Sequence, residues 1–247
     1  MKQTFKTQAQ KEFAKTFDGL CARTSSWRVW SDFINLSAIA ISNQLDMQEE
    51  REKQYHQIIN QYDADEQAIF PALFDKLVCA LDENPEQDFL GDMFMRLELG
   101  SHWHGQFFTP YNICTMMTKF SAQNMIDQIN ANGWCKINDC ACGAGATLIA
   151  ARNEMRRLGI DWTNKALFVG QDIDQTAALM CYVQLSLLGC AGYVVIADSL
   201  RHPVRGRRIV PYSTEEQDVW FMPALYASDV WRFRILWENI TRCQRND

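Results

Sequence analysis

No apolar stretch in these 247 residues approaches the roughly 20 residues a membrane-spanning helix requires; runs such as Ile39–Ile41 and Tyr193–Ala197 are far shorter. The N-terminus carries no apolar leader core either. Met1 to Lys15 is polar and alternates in charge, so a secretory signal is not expected. Histidine is scarce, with four in the chain, and the nine cysteines are an odd set scattered through apolar surroundings. Their expected state is reduced thiols in a cytoplasmic protein. His102 and His104 with Cys135, Cys140 and Cys142 are the one grouping a metal could use. Their spacing matches none of the common paired-ligand patterns, and no metal is expected.

A broad positive surface is missing as well. The formal charge is −6, and residues 1–100 hold 17 acidic against 10 basic side chains, which argues against a nucleic-acid grip by that part. Residues 201–247 reverse the balance with eight basic residues, all arginine, against six acidic ones. Arg201, Arg205, Arg207 and Arg208 are the clustered positive charge. They read either as a solvated loop or as the end that nucleic acid would meet first. At 47% hydrophobic and 22% charged, the chain is in the globular range and long enough for a sizeable core.

Two parts differ in character. Residues 1–100 form a helical N-terminal subdomain, and residues 101–247 form the second domain. Trp27, Trp30, Phe33, Ile34, Ile39 and Ile41 recur at three- and four-residue steps, as one helix face does. A charged helix follows over Gln48–Gln61. Asp63 starts another, stopped by Asp82-Glu83-Asn84-Pro85, and Phe89–Leu99 is a third amphipathic run. Beyond Gly105-Gln106-Phe107-Phe108-Thr109-Pro110, a helix is expected from Tyr111 to Ile129 and a strand over Cys135–Asp139. A helix over Ala146–Leu158, a strand over Ala166–Gln171, a helix over Gln175–Leu188 and a strand over Gly192–Ala197 complete the series. This alternation predicts an α/β, doubly wound, mostly parallel sheet with its C-terminal strand ends on one edge, where a ligand belongs.

That edge has matching chemistry. Gly143 and Gly145 occupy the turn after the first strand, where glycine lets backbone N–H groups approach a ligand. Asp172 ends the second strand, with Asp174 beyond it, and Asp198 ends the third. An acid at such a strand end can accept hydrogen bonds from ribose hydroxyls, or cap a helix or turn. Without a lysine, the loop is no phosphate-binding G-x-x-x-x-G-K-[ST] sequence. With Leu148 in the last position, it is no complete dinucleotide fingerprint either. An adenosyl ligand suits the combination.

Three segments, Gly105–Pro110, Asp139–Gly145 and Gly170–Asp174, resemble motifs of the S-adenosylmethionine-dependent adenine-N6 DNA methyltransferases, in the form found in modification subunits of type I restriction systems. The resemblance implies a Rossmann-like methyltransferase fold, here shortened, behind a helical N-terminal domain. It also implies S-adenosyl-L-methionine as cofactor and DNA as partner. By this resemblance Phe107, Thr109 and Pro110 line the methionine end of the cofactor. Asp139, Ala141, Cys142, Gly143 and the Gly145 turn wrap its amino-acid portion. Asp172 holds the ribose hydroxyls, Ile173 packs on the adenine ring and Asp198 binds the adenine amino group. Cys140 departs from the proline common there.

The family also carries an Asn/Asp-Pro-Pro-Tyr/Phe tetrapeptide that holds the target adenine in line with the methyl group. None of the six prolines here is adjacent to another, so the tetrapeptide is absent. The nearest substitutes are Tyr212 after Pro211, and Pro223 with Tyr226 after an apolar run, Val219–Phe221, that reads as strand four. The 47 residues after Leu200 are too few for the remaining strands and a target-recognition region.

Two functions follow from these observations. The first is a DNA adenine-N6 methyltransferase, completed by a second copy or by a specificity or modification subunit. The second is an inactive cofactor- or partner-binding module that regulates or interferes with a modification system. Trp220, Phe221, Tyr226, Trp231, Phe233 and Trp237 would serve the second as an interface, or else finish the core. An unrelated nucleotide-binding α/β protein and a small-molecule methyltransferase are the further alternatives.

Overall fold

The computed structural model describes residues 5–99, 108–204, 209–211 and 214–243. Five helices come first: α1 (Gln8–Leu20), α2 (Ser26–Ser42), α3 (Glu49–Ile59), α4 (Ala64–Glu83) and α5 (Phe89–Arg96). The last four match the sequence expectations closely. The start of α4 shows why: Asp63 accepts from the Glu66 N–H at 2.9 Å while Glu66 accepts from the Asp63 N–H at 3.0 Å, a reciprocal cap that fixes the first turn. Helix α1 was not expected. Its Phe13 and Phe17 are buried, and Phe13 meets Phe33 and Phe89 edge-on at 5.7 and 5.5 Å.

After α6 (Tyr111–Asn132), Gly133 turns the chain into β1 (Cys135–Asp139). Then follow α7 (Ala146–Arg157), the single turn α8 (Trp162–Lys165), β2 (Ala166–Asp172), α9 (Gln175–Leu187) and β3 (Gly192–Ile196). Next are β4 (Asp218–Phe221), α10 (Pro223–Ala227) and α11 (Asp229–Cys243). The sheet order is β1-β2-β3-β4, with β1, β2 and β3 parallel. Val219–Phe221 is a strand, as read from the sequence, but it lies against β3 and runs antiparallel, pairing Tyr193 with Phe221 and Ile196 with Asp218. The sheet is therefore small and mixed, with β1 as an edge strand among the described residues.

Both faces of the sheet are covered. Phe168, Val194 and Trp220 face the larger core with α7, α9 and the N-terminal helices, whereas Leu167, Val169, Tyr193 and Val195 meet Leu225 and Trp231 on the other side. Burial on both faces explains why β2 reads as a continuous apolar run instead of an alternating one. Helix α9 is buried from Thr176 to Leu185 because α2 packs over its outer side, and its composition is apolar nearly all round. One core therefore joins the N-terminal helices to the sheet. Arg51 pins the two further. It donates to Ser42 Oγ at 2.8 Å, Asp218 Oδ1 at 3.1 Å and the Val219 carbonyl at 3.0 Å, and stacks 3.7 Å over Trp220. No described helix is long and apolar enough to cross a membrane.

Candidate functional site

Parallel strands β1, β2 and β3 end on one edge, and the residues following each end define the site. Asp139 closes β1 and accepts from the Ala141 N–H at 3.1 Å, shaping the first bend of the loop. Gly143 then adopts φ +52°, and an added Cβ would stand 2.9 Å from Cδ1 of Phe108. Only glycine allows both that backbone and that approach. The Phe108 ring, 5.1 Å from that of Phe94, carries the segment before α6 onto the loop. Below it Cys142 and Cys181 are buried in contact, and both that contact and burial hold the Cys181 thiol protonated.

The loop is tied to the next strand end. The Gly143 N–H donates to Asp172 Oδ2 at 2.8 Å, and the Asp174 N–H donates to Asp172 Oδ1 at 3.0 Å. Each carboxylate oxygen takes one backbone bond and retains a lone pair, so the half-buried group is both fixed in place and still an acceptor. Asp174 caps α9, accepting from the Ala177 N–H at 2.8 Å. The sequence left both roles open for these two acids. The structure divides them, with the cap falling to Asp174 and Asp172 facing the loop.

Ile173 is 68% exposed on this edge, and Leu200, beyond the end of β3, is 92% exposed. Two apolar side chains so open beside acceptor carboxylates suit a flat, amphipathic ligand. Leu200 carried no motif by which the sequence could single it out. Asp198 Oδ1 accepts from the Leu200 and Arg201 N–H groups at 2.9 and 3.2 Å, and Arg201 Nε stands 3.6 Å from Oδ2. Those backbone bonds hold its carboxyl below the usual carboxylate range, so it acts as an acceptor at neutral pH.

Thr109 and Pro110 follow Phe108, the ring that meets Gly143. They line a cleft of about 660 Å³ whose other walls include Gln10, Asp88 and Asp92. Asp88 is fully buried, and burial raises its pKa. It accepts from Gln184 Nε2 at 2.8 Å and from the Gly91 N–H at 2.9 Å, while Gln184 also donates to the Ala144 carbonyl at 2.9 Å. The Leu90 N–H completes the amide's bonding at Gln184 Oε1. Helix α5 is thereby bolted to the glycine loop through Gln184, a residue that sits inside an apolar helix.

Pro223 and Tyr226, two of the three substitutes for the missing tetrapeptide, do not reach the edge. Because β4 is antiparallel, it ends where the parallel strands begin: the Met222 N–H donates to the Gly192 carbonyl at 3.0 Å. Pro223 and Tyr226 therefore lie at the edge opposite the glycine loop, so the structure puts these two candidate substitutes, Tyr226 as a ring to stack on a base included, away from the ligand edge. Phe107 and Tyr212 lie outside the described residues, as do Arg205, Arg207 and Arg208. The aromatic tail divides: Trp220 and Trp231 are core, whereas Phe233 and Trp237 are 64% and 59% exposed.

A sequence model of the family described as N-6 DNA Methylase matches residues 87–232, from just before α5 into α11. No curated protein matches the chain. The matched stretch covers more than half of the 247 residues and takes in every strand end described above. The chain belongs to the N-6 DNA methylase family.

Proposed function

We propose that this chain binds S-adenosylmethionine at the C-terminal edge of β1, β2 and β3, and that alone it holds the cofactor without transferring the methyl group. Membership of the family makes it DNA adenine methyltransferase-like. The observation that carries the binding reading is the doubly bonded Asp172, locked to the glycine loop by the Gly143 N–H. A carboxylate with free lone pairs matches the donor pair of a ribose, and the open Ile173 beside it offers an apolar platform for adenine. Asp198 would accept from the adenine amino group. Asp139, Ala141, Cys142, Gly143 and Gly145 would enclose the amino-acid portion, with Thr109 and Pro110 at the methionine end.

When bound, the cofactor supplies a methyl group on a sulfonium. Its transfer requires an acceptor that fixes the adenine amino group in line, and misplacement by about 1 Å can lower the rate on the order of 100-fold. Of the aspartates at the described strand ends, Asp139, Asp172 and Asp198 would serve the cofactor and Asp174 caps a helix, and Pro223 and Tyr226 lie at the opposite edge. Supply of that acceptor by another polypeptide would make the chain one part of an active enzyme. Failing that, it remains a cofactor-binding module.

The test is a labelled-methyl assay on adenine-containing duplex DNA together with a binding measurement. The proposal expects cofactor binding with no incorporation by the purified chain. Turnover by the chain alone, abolished in the Asp172→Ala variant, would refute the second half of the reading.

A further inference from the structure

At the far edge of the sheet, the last turns of α7 bring Arg152 and Arg156 onto one helix face. Arg152 is 7% exposed, yet no carboxylate stands within ion-pair distance of it among the described residues. Its Nη1 donates to Asn153 Oδ1 at 2.6 Å, and its guanidinium lies 4.2 Å from the Trp162 ring centre. Its Nε has no partner, and neither does the indole Nε1 of Trp162. Arg152, Arg156 and Trp162 all line one cleft of about 530 Å³, with Leu81, Leu187 and Leu188 as an apolar wall. Asp82 is the carboxylate on that wall and pairs with neither arginine among the described residues.

A buried guanidinium without a counter-ion is an expensive arrangement, and burial disfavours its charged form. A buried arginine with an unpartnered Nε, and an exposed second arginine on the same cleft, are an arrangement an oxyanion relieves. We propose that this cleft is a second ligand site, for the phosphate group of a small molecule, independent of the cofactor edge. Arg152 and Arg156 bind the oxygens in charge-assisted hydrogen bonds, the Trp162 ring backs the Arg152 guanidinium, and the leucines cover the ligand's apolar remainder. Arg156 lies eleven steps along the helix from Gly145, about 16 Å at 1.5 Å per residue. The two sites can therefore be filled together.

Inorganic phosphate is the probe, titrated into the full chain at constant ionic strength while the indole N–H resonance of Trp162, assigned with Trp162→Phe, is followed. The expected result is a saturable millimolar shift of that resonance and a rise in thermal midpoint over a chloride control. Arg156 is exposed, so Arg156→Gln keeps the fold and should weaken the response by roughly tenfold to a hundredfold. Arg152→Lys, which keeps the charge but not the fork, should weaken it too. No phosphate-specific response, or one unchanged in Arg156→Gln, overturns the proposal. So does a Trp162 shift produced by duplex DNA and not by phosphate.

Discussion

Replacing Gly145 by alanine separates two penalties that a glycine in a tight loop avoids together. Its φ is +96°, and a Cβ there would lie 2.9 Å from the Cys181 Sγ and 3.3 Å from the Cys181 Cα. The left-handed backbone alone costs a non-glycine residue about 1–2 kcal/mol. Overpacking against a fully buried neighbour adds about 1–3 kcal/mol, because Cys181 is held between the loop and Gly170 and cannot withdraw freely. Gly159 provides the control: its φ is +68°, and an added Cβ meets nothing within 4 Å. Gly159→Ala should therefore lose only the first penalty, and Gly145→Ala roughly 2–5 kcal/mol in all. Urea unfolding followed by tryptophan fluorescence measures both. Equal losses in the two variants would mean that the loop is not packed on α9 as described.

Trp231, fully buried with its Nε1 donating to the Thr163 carbonyl at 2.7 Å, should cost about 3–5 kcal/mol as Trp231→Ala, whereas Trp237→Ser, on the open side of the same helix, should stay within about 0.5 kcal/mol. Thermal and urea unfolding of the pair check this. Asp88 gives a pH dependence with a definite sign. Its folded pKa is raised by burial, so between the usual carboxylate value and that raised value the folded state holds the extra proton, and stability falls as pH rises through the window. Asp88→Asn, which retains the oxygen that Gln184 and Gly91 use, should flatten that fall in unfolding measured from pH 4 to 8. With a formal charge of −6, the chain should bind random duplex DNA weakly and lose that binding steeply with salt; a tight, salt-insensitive complex in a filter-binding series would contradict this.

Much of the frame around the candidate site was legible because its signals are local. Cys135–Asp139 was read as a strand at its actual bounds, and the ends of β2 and β3 fell within a residue of expectation, since strand, glycine turn and small-residue helix follow one another in sequence. Helix α1 was obscured because its two core aromatics sit among charges and reveal their burial only against Phe33 and Phe89. The direction of β4 depends on which neighbour it pairs with, and the three apolar residues Val219–Phe221 carry no such information. That choice of neighbour decided the fate of Pro223 and Tyr226. The Asp88–Gln184 bond spans 96 residues, and the orphaned donors of Arg152 and Trp162 emerge only when the surrounding helices are in place.

The central claim, a cofactor seat organised by Asp172, is tested most directly by calorimetric titration of S-adenosylmethionine into the purified chain and into Asp172→Ala, with thermal midpoints confirming that both are folded. Loss of two charge-assisted hydrogen bonds to a ribose should weaken binding by roughly a hundredfold or more. Saturable binding by the chain with that loss in the variant is the predicted result. Equal affinity in both proteins, or no binding by either, would contradict it.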